Sequence, residues 1–252
     1  MAGYRLTVLQ ENSAARPGMR AAHGLAVLVE TPDRRVLFDT GPDEATVANA
    51  WRLGTRLLGL DAVVLSHGHW DHVGGLAAVL DITGPLPVYA HPRLLEPAYS
   101  MDEAGPRHIG VSKTAAEYEA LGARWRLIDE PTRIGDHLLT TGPMTMPSPP
   151  PPGQQRFARK REGELVADTF EDEQGLVVTI DGHVCVLSGC AHVGPMALVR
   201  TAGRPTALLG GLHLGAWCDG AMLALAGELR DAGVRQLMPC HCTGERGVEL
   251  LA

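Results

Sequence analysis

The order of strand-like and helix-like segments predicts an α/β layered fold, and three observations carry that expectation. Short apolar runs of strand length alternate with helical stretches along most of the chain. Several of those runs end directly in a segment bearing histidine. The composition, 45% hydrophobic and 20% charged over 252 residues, is that of a globular protein rather than a disordered one.

Tyr4–Leu9, Gly24–Glu30 and Arg35–Asp39 read as strands, the last two joined by the turn Thr31-Pro32-Asp33-Arg34. Thr40-Gly41-Pro42-Asp43 opens a helix over Glu44–Leu53, with proline and acidic residues at its first turn. Asp61–Ser66 reads as a buried strand, Gly75–Leu80 as a helix and Pro87–Ala90 as the next strand. From Thr140 to Gly163 the pattern breaks, with consecutive prolines at Pro149–Pro152 and a basic cluster of Arg156, Arg159, Lys160 and Arg161. Proline removes a backbone donor, so this stretch is expected outside any central sheet. It reads as a long surface loop, about 141–163, within a single 1–252 domain, in preference to a linker between domains; loops of this length often cover a site. Strands resume at Leu176–Ile180, Val184–Ser188, Ala207–Leu209 and Gln236–Pro239, with a helix at Ala221–Arg230.

Charge and cysteine content narrow the function classes. With 22 basic and 29 acidic side chains the net charge is −7, which lacks the dense basic face that nucleic acid requires. No apolar run reaches the length of a membrane span, and the opening MAGYRLTVLQENS reads as a strand rather than a signal peptide. Five cysteines, an odd number, argue against a disulfide scaffold and for a reducing, cytoplasmic setting with thiols free or near a metal. The pattern leaves oligomeric state open.

The densest signal is Ser66-His67-Gly68-His69-Trp70-Asp71-His72. On extended chain His67 and His69 point to one side and can reach one cation. Where the chain turns into a helix, Asp71 and His72 can be offered to a second. Imidazole with carboxylate suits zinc, manganese or iron better than calcium or magnesium. The bland alternative is a solvated turn with chance histidines, for which this spacing at a strand end is too dense. Three further strand ends carry histidine: Gly189-Cys190-Ala191-His192, Gly211-Leu212-His213 and Cys240-His241-Cys242. One such residue would merely cap or pack. Three of them, beyond the carboxyl ends of strands where layered α/β folds assemble sites, point to convergence on one centre.

HGHWDH, preceded by Leu37-Phe38-Asp39-Thr40-Gly41, resembles the metallo-β-lactamase superfamily, whose signature is H-x-H-x-D-H after an upstream Asp. The segments AAHGLAVLVE, DEQGLVV, LSGCAHVG, LGGLHL and PCHCTG extend the resemblance to one branch, the dihydropterin–aminobenzene ribofuranosyl phosphate synthase-like proteins, or superfamily II metal-dependent hydrolases. The resemblance spans roughly Tyr4 to Gly244 and implies a four-layer αββα sandwich with one or two divalent metals, zinc first and manganese or iron as alternatives. Carried over residue by residue, it assigns His67 and His69 to the first metal, and Asp71, His72 and His241 to the second. His192 becomes a further ligand. Cys190 stands where the superfamily has a bridging Asp, as a bridge or a neighbouring thiol. His213 becomes a ligand or a catalytic contact to substrate, and Asp71 can in addition orient the reacting water or carry its proton. Asp39 orients the ligand loop.

The activity implied is metal-dependent hydrolysis of a small, anionic, phosphorylated or ester substrate, since a divalent ion lowers the pKa of bound water from about 15.7 to about 7. Two alternatives stand beside it. One is a transferase condensing a dihydropterin pyrophosphate with an aminobenzene ribofuranosyl phosphate, and the other a non-catalytic metal-binding sensor. The branch's TGEIPR-like segment is Thr141-Gly142-Pro143-Met144-Thr145-Met146-Pro147 here, without its acid and arginine, which counts against a pterin-phosphate substrate. The basic cluster is read as solvated surface, with anion contact as the alternative. Asp172-Glu173-Gln174 is expected to cap, His91 and His108 to lie at the rim or surface, and His23 to pack beneath the site. Cys185 is expected to pack inside its strand, and Cys240 and Cys242 to offer at most one sulfur each.

Overall fold

A computed structural model describes residues 3–14 and 16–251. The chain begins with β1 (Arg5–Gln10), β2 (Ala26–Glu30), β3 (Arg35–Phe38), α1 (Ala45–Arg52) and β4 (Ala62–Val64). Then follow α2 (Trp70–Val73), α3 (Leu76–Thr83), β5 (Leu86–Ala90), β6 (Ala98–Asp102), β7 (Gly105–His108), α4 (Ala115–Ala120) and β8 (Ala123–Leu127). The second half holds β9 (Leu138–Thr140), β10 (Phe157–Arg161), β11 (Glu164–Ala167), β12 (Leu176–Ile180) and β13 (His183–Ser188). It ends with α5 (Pro195–Thr201), β14 (Ala207–Gly210), α6 (Asp219–Asp231), β15 (Gln236–Pro239) and α7 (Gly244–Leu251). One sheet has the order β1-β2-β3-β4-β5-β8, a second β15-β14-β13-β12-β9, and a smaller third β11-β10-β6-β7.

Alternation along the central strands sorts their apolar side chains into separate cores. In β2, Ala26 and Leu28 join α1 and α3 residues such as Ala50, Val79 and Leu80, while Val27 and Val29 face the second sheet. In β13, Cys185 and Leu187 turn into that middle core, and Val186 turns outward to Leu198 of α5 and Leu225 of α6. Three cores between four layers make the αββα sandwich. Because both faces of β2, β3, β4 and β13 are covered, these strands are nearly continuous apolar runs. Cys185 packs inside its strand as expected, and all five cysteines are free thiols. No helix among the described residues is long and apolar enough to cross a membrane.

The expectation of a loop through residue 163 needs correction. The prolines stay outside every strand, but Gln154–Arg156 form a 3-10 turn and Phe157–Arg161 is β10, paired with β6 and β11. Nor is the basic cluster simply solvated. Arg159 is only 2% exposed. Its Nε donates to Asp168 Oδ2 at 2.9 Å and its Nη2 to Asp172 Oδ1 at 2.6 Å, while Nη1 reaches the carbonyls of Arg93 and Glu96 at 3.1 and 3.2 Å. The second oxygen of Asp172 accepts the Gly68 N–H at 2.7 Å, so this ion triad ties the third sheet to the histidine loop. Gly68 has to be glycine for the same packing, since a Cβ there would overlap the Leu94 carbonyl.

Replacing Arg159 by Met strands two buried carboxylates. Loss of one partner from such a buried network costs about 3–5 kcal/mol, a fall in Tm of roughly 6–20 °C for a chain of this size. Thermal denaturation followed by circular dichroism checks this. Arg159→Lys is expected to recover only part of the loss, because an ammonium cannot span two carboxylates and two carbonyls in one plane.

Candidate metal centre

Strands β3, β4 and β5 run parallel, as do β13, β14 and β15, and the candidate residues sit in the segments just beyond their carboxyl ends. Asp39 follows β3, His67 to His72 follow β4, Cys190 and His192 follow β13, His213 follows β14, and His241 follows β15. The two sheets face each other, so these ends meet at one edge of the sandwich. At four of these turns a residue other than glycine holds a left-handed φ: Asp39 and Ala191 at 56°, His213 and His241 at 51°. Each costs of order 1 kcal/mol or more and persists only where the surroundings over-determine it.

Two donor sets result. In the first, His67 Nε2 lies 3.1 Å from His69 Nδ1, with a His192 nitrogen within 4.8 Å of both. In the second, His72 Nε2 lies 3.2 Å from His241 Nε2, and Asp71 Oδ2 lies 3.6 and 3.4 Å from these two atoms. Outer acceptors fix the rings. His72 Nδ1 donates to Asp39 Oδ2 at 2.7 Å, His241 Nδ1 to Asn12 Oδ1 at 2.9 Å, and His192 Nδ1 to Gln154 Oε1 at 3.1 Å. The Ser66 hydroxyl donates to Asp39 Oδ2 at 2.7 Å, which leaves its oxygen to accept the His67 Nδ1–H at 2.9 Å. Asp39 Oδ1 also accepts the Ser66 backbone N–H at 2.7 Å. The Asn12 amide orientation is set by its neighbours, since its oxygen accepts the Gly24 N–H and its nitrogen donates to the His241 carbonyl.

With their outer N–H groups committed, His67, His72, His192 and His241 turn their Nε2 atoms inward. This is the arrangement of metal-ligating imidazoles, whose second nitrogen is held by a carboxylate or carbonyl. Two nitrogens bound to one tetrahedral zinc at about 2.0–2.1 Å stand about 3.3 Å apart, close to the spacing within each set. The buried inward Nε2 of His192 has no hydrogen-bond partner. The residues present therefore fit divalent cations.

Electrostatics agree with that fit. Burial holds the imidazoles of His67 and His192 well below their ordinary pKa and brings His69 down to about 3, so all three are neutral donors at pH 7. Burial opposes charge at His72 too, but the Asp71 and Asp39 carboxylates overcome it and push its pKa up to about 9. Burial also opposes the Asp71 carboxylate, yet His72, His23 and His241 hold it well below the usual range. The second set thus favours positive charge.

His213 joins the same cluster, its ring centroid 4.2 Å from that of His192, and its Nδ1 lacks a partner. Cys190 Sγ lies 3.2 Å from His72 Nε2, and Cys242 Sγ contacts the Cys190 carbonyl at 3.7 Å. Phe170 stacks on His192 at 4.1 Å, and Phe157 lies 5.1 Å from the same ring. The Asp-Glu-Gln segment acts structurally: Asp172 holds Gly68, Glu173 accepts the N–H groups of His192 and Val193, and Gln174 donates to Leu65. Burial pushes the Glu173 carboxyl up to about 8 against those two donors.

Two expectations are corrected. His23 does not pack beneath the site. Its half-exposed ring stands at the solvent-facing mouth, with Nε2 3.3 Å from Asp71 Oδ2. His91 is buried, not at the rim, and its Nδ1 accepts the Arg93 N–H at 3.2 Å; His108 is exposed as expected. Asn12 and Gln154 escape sequence reading altogether. Asn12 stands two residues beyond a strand of the first sheet, and that position is the single signal that could have marked it.

The sequence model of the metallo-β-lactamase superfamily matches residues 20–194, and the chain belongs to that superfamily. It is 29% identical over 241 residues to the 7,8-dihydropterin-6-methyl-4-(β-D-ribofuranosyl)-aminobenzene-5'-phosphate synthase of Methanocaldococcus jannaschii, across 88% of this chain and 81% of that one. An uncharacterised protein of the same organism is 29% identical over 253 residues, across 98% and 93% of the two chains. The crystal structure of Tm1679, a metal-dependent hydrolase of the β-lactamase superfamily, matches with a TM-score of 0.85 at 31% identity, across 98% of this chain and 91% of that one.

Asp39→Asn keeps the side chain's size but weakens the charged support of His72 and Ser66. Loss of such an outer partner lowers metal affinity about 10–100-fold. Competition against a chelator of known affinity, with zinc as the probe, measures the change.

Proposed function

We propose that the protein is a metal-dependent hydrolase of a small phosphorylated or ester substrate, with His67, His69 and His192 holding one cation and Asp71, His72 and His241 a second. The observation that carries this reading is the pair of inward-facing donor sets, each fixed from outside by hydrogen-bond acceptors. The donor types suit zinc best and also admit manganese or iron. A divalent cation, when bound, lowers the pKa of water and polarises a phosphoryl or carbonyl oxygen.

The chain's own residues supply orientation and proton handling. Asp71 Oδ2 is 3.3 Å from His23 Nε2, so the ionised carboxylate is linked to a proton carrier at the solvent-facing mouth. His213, on the other side, offers its unpartnered Nδ1 to a substrate group beside the first set. An anionic substrate is supported by Arg156, whose exposed guanidinium lies 4.8 Å over the Phe157 ring, itself 5.7 Å from His69 and 5.5 Å from His213. The hydrolase reading is favoured by the likeness to Tm1679. The second reading, a condensing transferase, is favoured by the 29% identity to the synthase and weakened by Thr141–Pro147, which lacks the acid and arginine of that branch.

Metal content of the purified protein, followed by a panel of phosphomonoesters, phosphodiesters and thioesters with that metal restored, tests the proposal. Turnover that disappears together with bound metal in His67→Ala/His69→Ala is expected. Full activity in a metal-free double variant would overturn it. Release of pyrophosphate from a dihydropterin pyrophosphate and an aminobenzene ribofuranosyl phosphate would instead support the transferase.

Arg156→Ala is expected to raise KM for phosphorylated substrates about 10–100-fold, the worth of one charge-assisted hydrogen bond, with a smaller effect on kcat. Steady-state kinetics on phosphorylated and uncharged substrates separate this from a general loss.

A further inference from the structure

We propose that Cys190 supplies a thiolate shared by the two cation positions, which makes the centre a mixed nitrogen–sulfur site selecting zinc, cobalt(II) or iron(II) over manganese and magnesium. This rests on the metal-dependent reading above and adds which ions that site accepts. Among the described residues, Cys190 Sγ is common to three of the five groups whose donor atoms all lie within 4.8 Å of one another. It stands with His67 and His72, with His192 and His213, and with His241 and Cys242. It therefore reaches two donors of the first set, His67 and His192, and two of the second, His72 and His241.

The position is built into the fold. Cys190 is 3% exposed and sits on the turn after β13, between Gly189 and the left-handed Ala191. Gly189 packs so closely on Ser66 and Asp39 that a Cβ there would overlap the serine hydroxyl. The turn that carries the sulfur is thus clamped to the same Asp39 that orients His72. Cys242 is placed differently. Its sulfur contacts the Cys190 carbonyl at 3.7 Å and shares a donor group with one imidazole, that of His241.

The binding step balances simply: the Cys190 S–H bond is exchanged for a sulfur–metal bond, and the proton leaves to buffer. Thiolate is a soft ligand, and a site containing it prefers borderline ions, whereas carboxylate in its place suits manganese.

Cobalt(II) is the probe, added to chelator-stripped protein, with uptake measured by elemental analysis and thiolate ligation read as a sulfur-to-cobalt charge-transfer band in the near ultraviolet. The band is expected in the native protein and in Cys242→Ser, and absent from Cys190→Ser and Cys190→Asp. Cys190→Asp should still take up cobalt, with its preference for manganese over zinc raised about tenfold or more by competition. Cobalt uptake without the band, or a band that survives both Cys190 substitutions, would overturn the sulfur assignment alone. Absence of any cobalt uptake by the native protein would overturn the metal-dependent reading itself and this inference with it. Circular dichroism of each variant separates lost ligation from lost folding.

Discussion

Lone pairs that face each other across 3.1 and 3.2 Å inside a buried pocket repel unless positive charge stands between them. That constraint organises this edge of the sandwich. His67, His72, His192 and His241 cannot escape it by rotating, because their outer nitrogens are engaged with Ser66, Asp39, Gln154 and Asn12 respectively. Nor does protonation suit the first set, where burial holds three rings neutral. In the second set the buried carboxylates of Asp39 and Asp71 favour positive charge, and the raised pKa of His72 expresses that field as a proton. A divalent cation answers the same field while satisfying several lone pairs at once.

Holding such an arrangement requires rigidity from several directions. The acceptors come from separate parts of the chain: the end of β1, the end of β3, the residue before His67, and the turn before β10. Left-handed backbone at Asp39, Ala191, His213 and His241 aims the strand ends inward, and the packed cores on either side of each sheet keep those conformations from relaxing. Arg159 performs the corresponding task for the third sheet. Its guanidinium joins Asp168, Asp172 and two loop carbonyls, and Asp172 in turn holds Gly68 between the two histidines of the first set.

What could be read from the sequence follows the same physics. Strands covered on both faces, such as β2, β4 and β13, leave a continuous apolar signature, and the dense histidine segment after β4 announces its chemistry. The third sheet and β8 leave no such mark, because ARWRL and ELVA are largely exposed and FARKR buries an arginine that looks like surface charge until its carboxylate partners are in view. The outer acceptors are harder still. Asn12 meets His241 across 229 residues through two hydrogen bonds and Gln154 meets His192 across 38 through one, and no periodicity records them. At His23, H-G-L says that the backbone turns, but not which way the ring leaves.

The two donor sets differ in their surroundings, and that asymmetry bears on how a reaction could proceed. His69 and His192 lie against Phe157 and Phe170, an apolar wall in which charge interactions are strengthened and water is scarce. Asp71 and His241 instead face His23, which is half open to solvent. Protons can be exchanged on that wet side without passing the aromatic wall. Of the four cations near residue 160, Arg159 is spent on Asp168 and Asp172, and Arg161 pairs with Glu96 and Glu171. Arg156, stacked on the outer wall at Phe157, is left facing the approach to the first set. On the proposed hydrolase reading, a substrate that brought an anionic group to this side would place its reacting centre toward the wet one and so lie oriented across the centre.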